Sequence, residues 1–171
     1  YDIYCLSEKR DKGTIEKFLD HFSFRNKIEE RKDREISITG SDKYKVENSW
    51  IPVNTLTEII DYGISNPTIG FAFYIGDNLK EGISHIILKF TFDNKIIFGI
   101  SVQDETRNKS LQNIDNYRFA VETEKIIKKL TDSYKTSIQF ENPPADDEAE
   151  FDNEMEIWRK FNQDQSIKYL S

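Results

Sequence analysis

The side chains in this sequence that could do chemistry are few and scattered. Cys5, His21 and His85 are the types needed for a thiol nucleophile and its base. A thiolate forms only where a neighbouring base or a helix N-terminus lowers the thiol pKa. Cys5 instead stands among Ile3, Tyr4 and Leu6, the setting of a buried structural cysteine. One cysteine and two separated histidines also lack any zinc-ligand spacing. Asp104-Glu105, with Arg107 just beyond, could act as acid and base or present oxygens to a metal. The same pair suits a strand-to-helix loop or a binding surface, which is the reading preferred. Gly70, Gly76, Gly82 and Gly99 build no phosphate-binding pattern. The run Ala145-Asp146-Asp147-Glu148 lacks the alternation and central glycine of an EF-hand loop. No cofactor or metal is expected, and no catalytic residue is assigned.

The largest chemical signal is charge. Residues 141–156 hold eight carboxylates and no basic side chain: Glu141, Asp146, Asp147, Glu148, Glu150, Asp152, Glu154 and Glu156. The whole chain has 31 acidic and 24 basic residues, so outside this tract 23 acidic face 24 basic. The net charge of −7 therefore comes from one stretch near the C-terminus. Segregated charge projects a field at partners, whereas mixed charge mainly solvates. Phe151, Met155, Trp158 and Phe161 follow at helical spacing, so the tract leads into an amphipathic helix with an aromatic stripe. Aromatic anchors beside complementary charge are how tight interfaces are built. The alternative is a solvated helix face whose stripe, Trp158 included, packs inward.

These groups must be positioned by the surrounding elements. Tyr1 to Leu6 reads as a strand apolar on both faces, pairing centrally. Asp11 or Thr14 can cap a helix with the inner stripe Ile15, Phe18, Leu19 and Phe22. Residues 25–35 are a mixed-charge helix extension or loop. Glu35–Thr39 and Tyr44–Glu47 look like short strands about the turn Gly40-Ser41-Asp42. Asn54 is the expected N-cap of a helix carrying Leu56, Ile59 and Ile60, which Gly63 would end in the left-handed conformation. Ile69, Phe71, Phe73 and Ile75 alternate as in a strand. Ile86, Leu88, Phe90 and Phe92 repeat the pattern and Ile96, Phe98, Ile100 and Val102 return it. That predicts an antiparallel hairpin with a two-residue Asp93-Asn94 turn. Its other face, with His85, Lys89, Thr91, Lys95 and Ser101, and Ile87 as the exception, should be at least partly wet. Residues 110–131 read as helix, Thr136 to Phe140 as a last strand, and Pro143-Pro144 as its stop.

A chain of 171 residues is most simply one domain. Twelve Phe and eight Tyr supply core volume, and a mean hydropathy of −0.67 describes a well-solvated exterior. A pI near 5.0 argues against nucleic-acid binding, which needs clustered Lys and Arg. No run approaches the ~18 apolar residues of a membrane span, so no membrane partner is expected. A lone cysteine suits a reducing cytoplasm. The fold expected is α+β: a single domain with a mostly antiparallel sheet of five to seven strands, packed with helices, and a C-terminal acidic amphipathic helix.

The hairpin ending in Asp104-Glu105, the helix to Leu130, and Glu141-Asn142-Pro143-Pro144 before the acidic helix resemble small acidic immunity proteins of bacterial polymorphic-toxin systems. The likeness covers the C-terminal half and lies in architecture and charge. It implies a cytoplasmic, non-enzymatic protein that neutralises a basic partner such as a toxin domain. The partner surface expected is Asp104, Glu105, Asp146, Asp147, Glu148, Glu150, Asp152, Glu154 and Trp158. The competing reading is a small enzyme using Asp104 and Glu105 in a cleft.

Overall fold

The computed structural model describes residues 1–28, 34–40, 50–107, 110 and 112–169. In chain order the elements are β1 (Asp2–Ser7), α1 (Lys12–Phe22), β2 (Arg34–Ser37), β3 (Thr39–Gly40), β4 (Trp50–Val53), α2 (Leu56–Ser65), β5 (Ile69–Ile75), β6 (Ile83–Phe90), β7 (Ile96–Val102), β8 (Glu105–Arg107), β9 (Asn113–Asp115), α3 (Tyr117–Thr131), β10 (Lys135–Gln139) and α4 (Glu148–Tyr169). The α+β fold expected from the pattern is present. Six strands form one antiparallel sheet in the order β10-β1-β7-β6-β5-β3, and β2-β4 and β8-β9 form two small sheets. β1 lies inside the main sheet, and its residues from Ile3 to Leu6 are buried on both faces.

Alternation explains the centre of the sheet. Leu88 pairs with Phe98 and Ile86 with Ile100, and these residues, Phe90 and Val102 are all buried. They face α1, α2 and α3, whose Ile15, Phe18, Leu19, Ile59, Ile60, Ala120 and Ile127 complete the main core. Phe18 meets Phe98 edge-on at 5.0 Å, and Phe71 stacks on Phe90 at 4.7 Å.

Local chemistry departs from expectation at several joints. The β6–β7 connection is wider than two residues, because Thr91 N–H donates to the Lys95 carbonyl at 3.0 Å. Asn94 then takes the left-handed conformation, φ 64°, as the closing residue of a three-residue loop. Asp11 caps α1 by accepting from the Thr14 amide. The cap of α2 is Thr55 rather than Asn54: its side chain accepts from Glu58 N–H, and Glu58 reaches back to Asn54 N–H at 2.8 Å. Gly63 lies inside α2 and does not end it. Its lack of a side chain serves packing, since a Cβ there would fall 2.4 Å from the Phe90 ring. Trp50–Val53 forms strand β4, and it pairs with β2. The expected strand Tyr44–Glu47 and the turn at Ser41-Asp42 lie outside the described residues. Residues 113–115 belong to β9, so α3 starts later than its apolar pattern suggests.

The hairpin's second face is partly wet, as expected, but more of it is buried than its polar residues suggest. His85 is exposed, but Ile87, Lys89 and Ile97 are buried. With Tyr4 and Leu6 they form a second core, covered by Ala145, Phe151 and Met155 from the acidic tract.

Candidate functional site

The acidic tract lies on the sheet instead of standing off it. Pro144 and Ala145 are buried over the sheet, and Phe151 of α4 is fully buried in the second core. Three lysines that point to this face meet the carboxylates. Lys89, whose side chain is 6 % exposed, donates to Asp146 at 2.5 Å. Lys135 reaches Glu148 at 2.7 Å and Asp152 at 2.6 Å. Lys95 reaches the other Glu148 oxygen at 3.0 Å and Asp93 at 3.1 Å. Glu148 thus bridges two ammonium groups, and Tyr134 adds its hydroxyl at 3.0 Å. These bonds, Lys135 first and Lys95 next, hold its carboxyl down at about 2. Burial alone would lower the pKa values of Lys95 and Lys135, but their carboxylate partners outweigh it and both are raised. Burial would raise Asp93, yet hydrogen bonds from Thr91, the Glu148 amide and Lys95 bring it below the usual carboxylate range.

The remaining carboxylates of the tract do different work. Asp147 accepts from Glu150 N–H at 2.8 Å and Glu150 accepts from Asp146 N–H at 2.7 Å, a reciprocal cap that starts α4. Glu154 accepts from the neutral amide of Gln139 at 3.1 Å, and its pKa is raised, chiefly by burial. Glu156 pairs along the helix with Lys160. Of the carboxylates on this face, Asp93, Asp146, Glu148 and Asp152 meet the three ammonium groups of Lys89, Lys95 and Lys135.

Along α4 the burial fades. Phe151 is fully buried, Met155 and Trp158 are half-buried, and Phe161 is 44 % exposed. Trp158 meets the Phe161 ring edge-on at 5.2 Å. Ile157, off the expected stripe, is 64 % exposed. Glu150, Glu154, Ile157 and Phe161 are spaced at four, three and four residues and so share one flank of the helix.

Asp104 and Glu105 do not join this group. They are exposed at the start of the β8–β9 hairpin, at the far end of β7 from the Lys95–Glu148 bridge. A seven-residue strand separates the two places by on the order of 20 Å. A cleft of about 600 Å³ lies nearby, lined by Gly82, Ser84, Gln103, Thr106, Asn116 and Phe119, and neither acid lines it. Cys5 is buried in β1, and that burial pushes its thiol pKa well up. Among the described residues no cluster of three His, Cys, Asp or Glu side chains is placed to hold a metal.

Two features of this region escape the sequence reading. One is the lysine trio, although the alternation does put Lys89 on the same face as Ile87. The other is Tyr4, whose ring lies where a Cβ at Gly99 would come within 2.9 Å and whose hydroxyl donates to the Asn142 carbonyl at 2.7 Å. No family model matches the chain, and no curated protein or solved structure is significantly similar to it. No helix among the described residues is long and apolar enough to cross a membrane.

Proposed function

We propose that this chain is a non-enzymatic binding protein that engages a basic protein partner, in the manner of an immunity protein that neutralises a toxin domain. The observation that carries the reading is the outer flank of α4. There Ile157 and Phe161, both well exposed, continue the helix flank that starts at Glu150 and the half-buried Glu154, beside the acidic tract of residues 141–156. Apolar anchors rimmed by charge of one sign fit a partner of the opposite sign. Asp146, Glu148 and Asp152 serve this surface indirectly, by clasping α4 onto the sheet. Asp104 and Glu105 offer a separate, smaller acidic contact.

The test takes a basic protein encoded beside this chain's gene, where sequencing of the locus finds one, in a catalytically inactive form, and measures association across a salt series. The on-rate is expected to fall about tenfold or more as ionic strength rises, since steering by exposed charges is screened. Glu154→Gln should chiefly slow association, and Ile157→Ser with Phe161→Ser should speed dissociation. Binding that ignores both salt and these substitutions would remove α4 as the recognition element. No binding at all would remove that partner.

A further inference from the structure

The edge of the main sheet formed by β10 is separate from the outer flank of α4. Val102 N–H donates to the Tyr1 carbonyl at 2.8 Å, so odd residues at the start of β1 bond towards β7. Even residues of β1 therefore bond towards β10, where Tyr4 pairs with Ser137 and Asp2 with Gln139. The backbone groups of Thr136 and Ile138 must then point outward. The Asn162 side chain agrees, because it donates to the Ile138 carbonyl at 2.9 Å, in the place a further strand would occupy. Among the described residues, no side chain hydrogen-bonds to the Thr136 backbone.

Exposed edges are normally blunted by proline, a bulge, a stray charge or shortness. The opposite edge strand, β3, is only two residues long. β10 has five residues in continuous register with β1 and no proline. Its one charge, Lys135, is turned to Glu148 and Asp152. The edge lies in a cleft of about 410 Å³ between α3 and α4. The α3 wall presents Tyr117, Val121 and Glu124, and the α4 wall presents Met155 and Arg159.

We propose that this cleft takes an extended segment of a partner chain as an added strand on β10. An added strand directs successive side chains to opposite faces. One of them meets Glu124 and the next meets Arg159. The segment that fits has a basic residue adjacent to an acidic one, flanked by apolar side chains for Tyr117, Val121 and Met155. Asn162 yields the Ile138 carbonyl to a backbone N–H of the incoming strand.

Two capped hexapeptides of equal composition test this. In Thr-Val-Lys-Glu-Val-Thr the charges fall on opposite faces, and in Thr-Lys-Val-Glu-Val-Thr they fall on the same face. Titration of the whole protein, followed by amide NMR shifts and hydrogen exchange, should show the first peptide protecting the Thr136 and Ile138 amides. It should bind at least fivefold tighter than the second. Asn162→Ala should tighten binding a few-fold by freeing the Ile138 carbonyl. Glu124→Lys, an exchange on a helix surface, should weaken it about tenfold. Equal binding of the two peptides, or no change at Thr136 and Ile138 at millimolar peptide, would overturn the proposal. So would protection of those amides that tracks dimer mass in sedimentation, because a second copy of the chain would then be the occupant.

Discussion

At the scale of single residues, Arg10 and Gly63 tie α2 to the sheet. Arg10 is 8 % exposed, and it faces carbonyl oxygens rather than a carboxylate. Its guanidinium donates to Gly63 twice, at 2.9 and 2.6 Å, to Thr91 at 2.6 Å, to Asn66 at 2.9 Å and to Ile69 at 3.1 Å, while lying over the Phe90 ring. These oxygens come from the end of α2, the next turn and the β6–β7 hairpin, so one side chain satisfies the buried carbonyls of Gly63 and Thr91 and the part-buried ones of Asn66 and Ile69. A lysine keeps the charge but has three donors on one nitrogen. Arg10→Lys should therefore cost about 3 kcal/mol in a urea melt, since each hydrogen bond to a charged group is worth about 1.5–3 kcal/mol. A loss under about 1 kcal/mol would mean that those carbonyls find water. Gly63→Ala sets two effects against each other. Alanine favours a helix by up to about 1 kcal/mol, but its Cβ would sit 2.4 Å from a buried ring. Overpacking of that kind costs about 1–3 kcal/mol and should win, so the variant should melt at lower denaturant. Neither role is visible in the sequence. Gly63 looks like a helix stop because the ring that needs its space lies 27 residues away, and nothing near Arg10 announces its partners.

At the scale of elements, legibility follows the range of the interactions. The β6–β7 hairpin is plain from two alternating runs beside a turn, because neighbours in sequence decide it. The acidic helix is also visible, with its Phe151–Met155–Trp158 stripe. Its destination is hidden, because Lys89, Lys95 and Lys135 come from β6, the β6–β7 connection and β10, which no local pattern links to residues 146–152. A clasp built this way should be acid-sensitive. The Glu148 carboxyl is held at about 2, below its ordinary 4.5, and Asp93 beside it is also lowered. A depressed carboxyl gives stability that is present above its unfolded pKa and lost as pH falls through the folded one. The docking of α4 should thus weaken between about pH 4.5 and 2. Glu154, raised chiefly by burial, opposes this slightly because it takes up its proton early. Trp158 fluorescence on the helix should change in that window, and Glu148→Gln should flatten the acid limb of the profile. A Trp158 signal that is pH-independent down to 2 would show that Phe151 alone holds the helix.

At the scale of the whole molecule, the last strand sits beside the first, and α4 closes the face that the other helices leave open. That face decides how the charge excess is used. The sequence locates the excess in residues 141–156, but only the fold shows that much of it anchors the helix and that a smaller share faces outward. Replacing Asp146, Asp147, Glu148 and Glu150 together would therefore unfasten α4 and could not report on partner charge alone. The two roles of α4 separate by residue instead. Phe151→Ala empties the centre of the second core and should cost about 3–5 kcal/mol, whereas Ile157→Ala, 64 % exposed, should stay within about 0.5 kcal/mol. Truncation after Glu141 makes the same division in one step. It uncovers Tyr4, Leu6, Ile87 and Ile97 as one apolar strip and takes Asp146 from Lys89. The main core between the sheet and α1–α3 is untouched, so the shortened chain should still melt cooperatively while its far-ultraviolet helical signal falls by the share of α4. The bare strip should then drive self-association, read as a rise in sedimentation coefficient with concentration that the full chain does not show. A truncated chain that stays monomeric with an unchanged melt would mean that the second core adds nothing to the fold, and that α4 is held in place for its outer face alone.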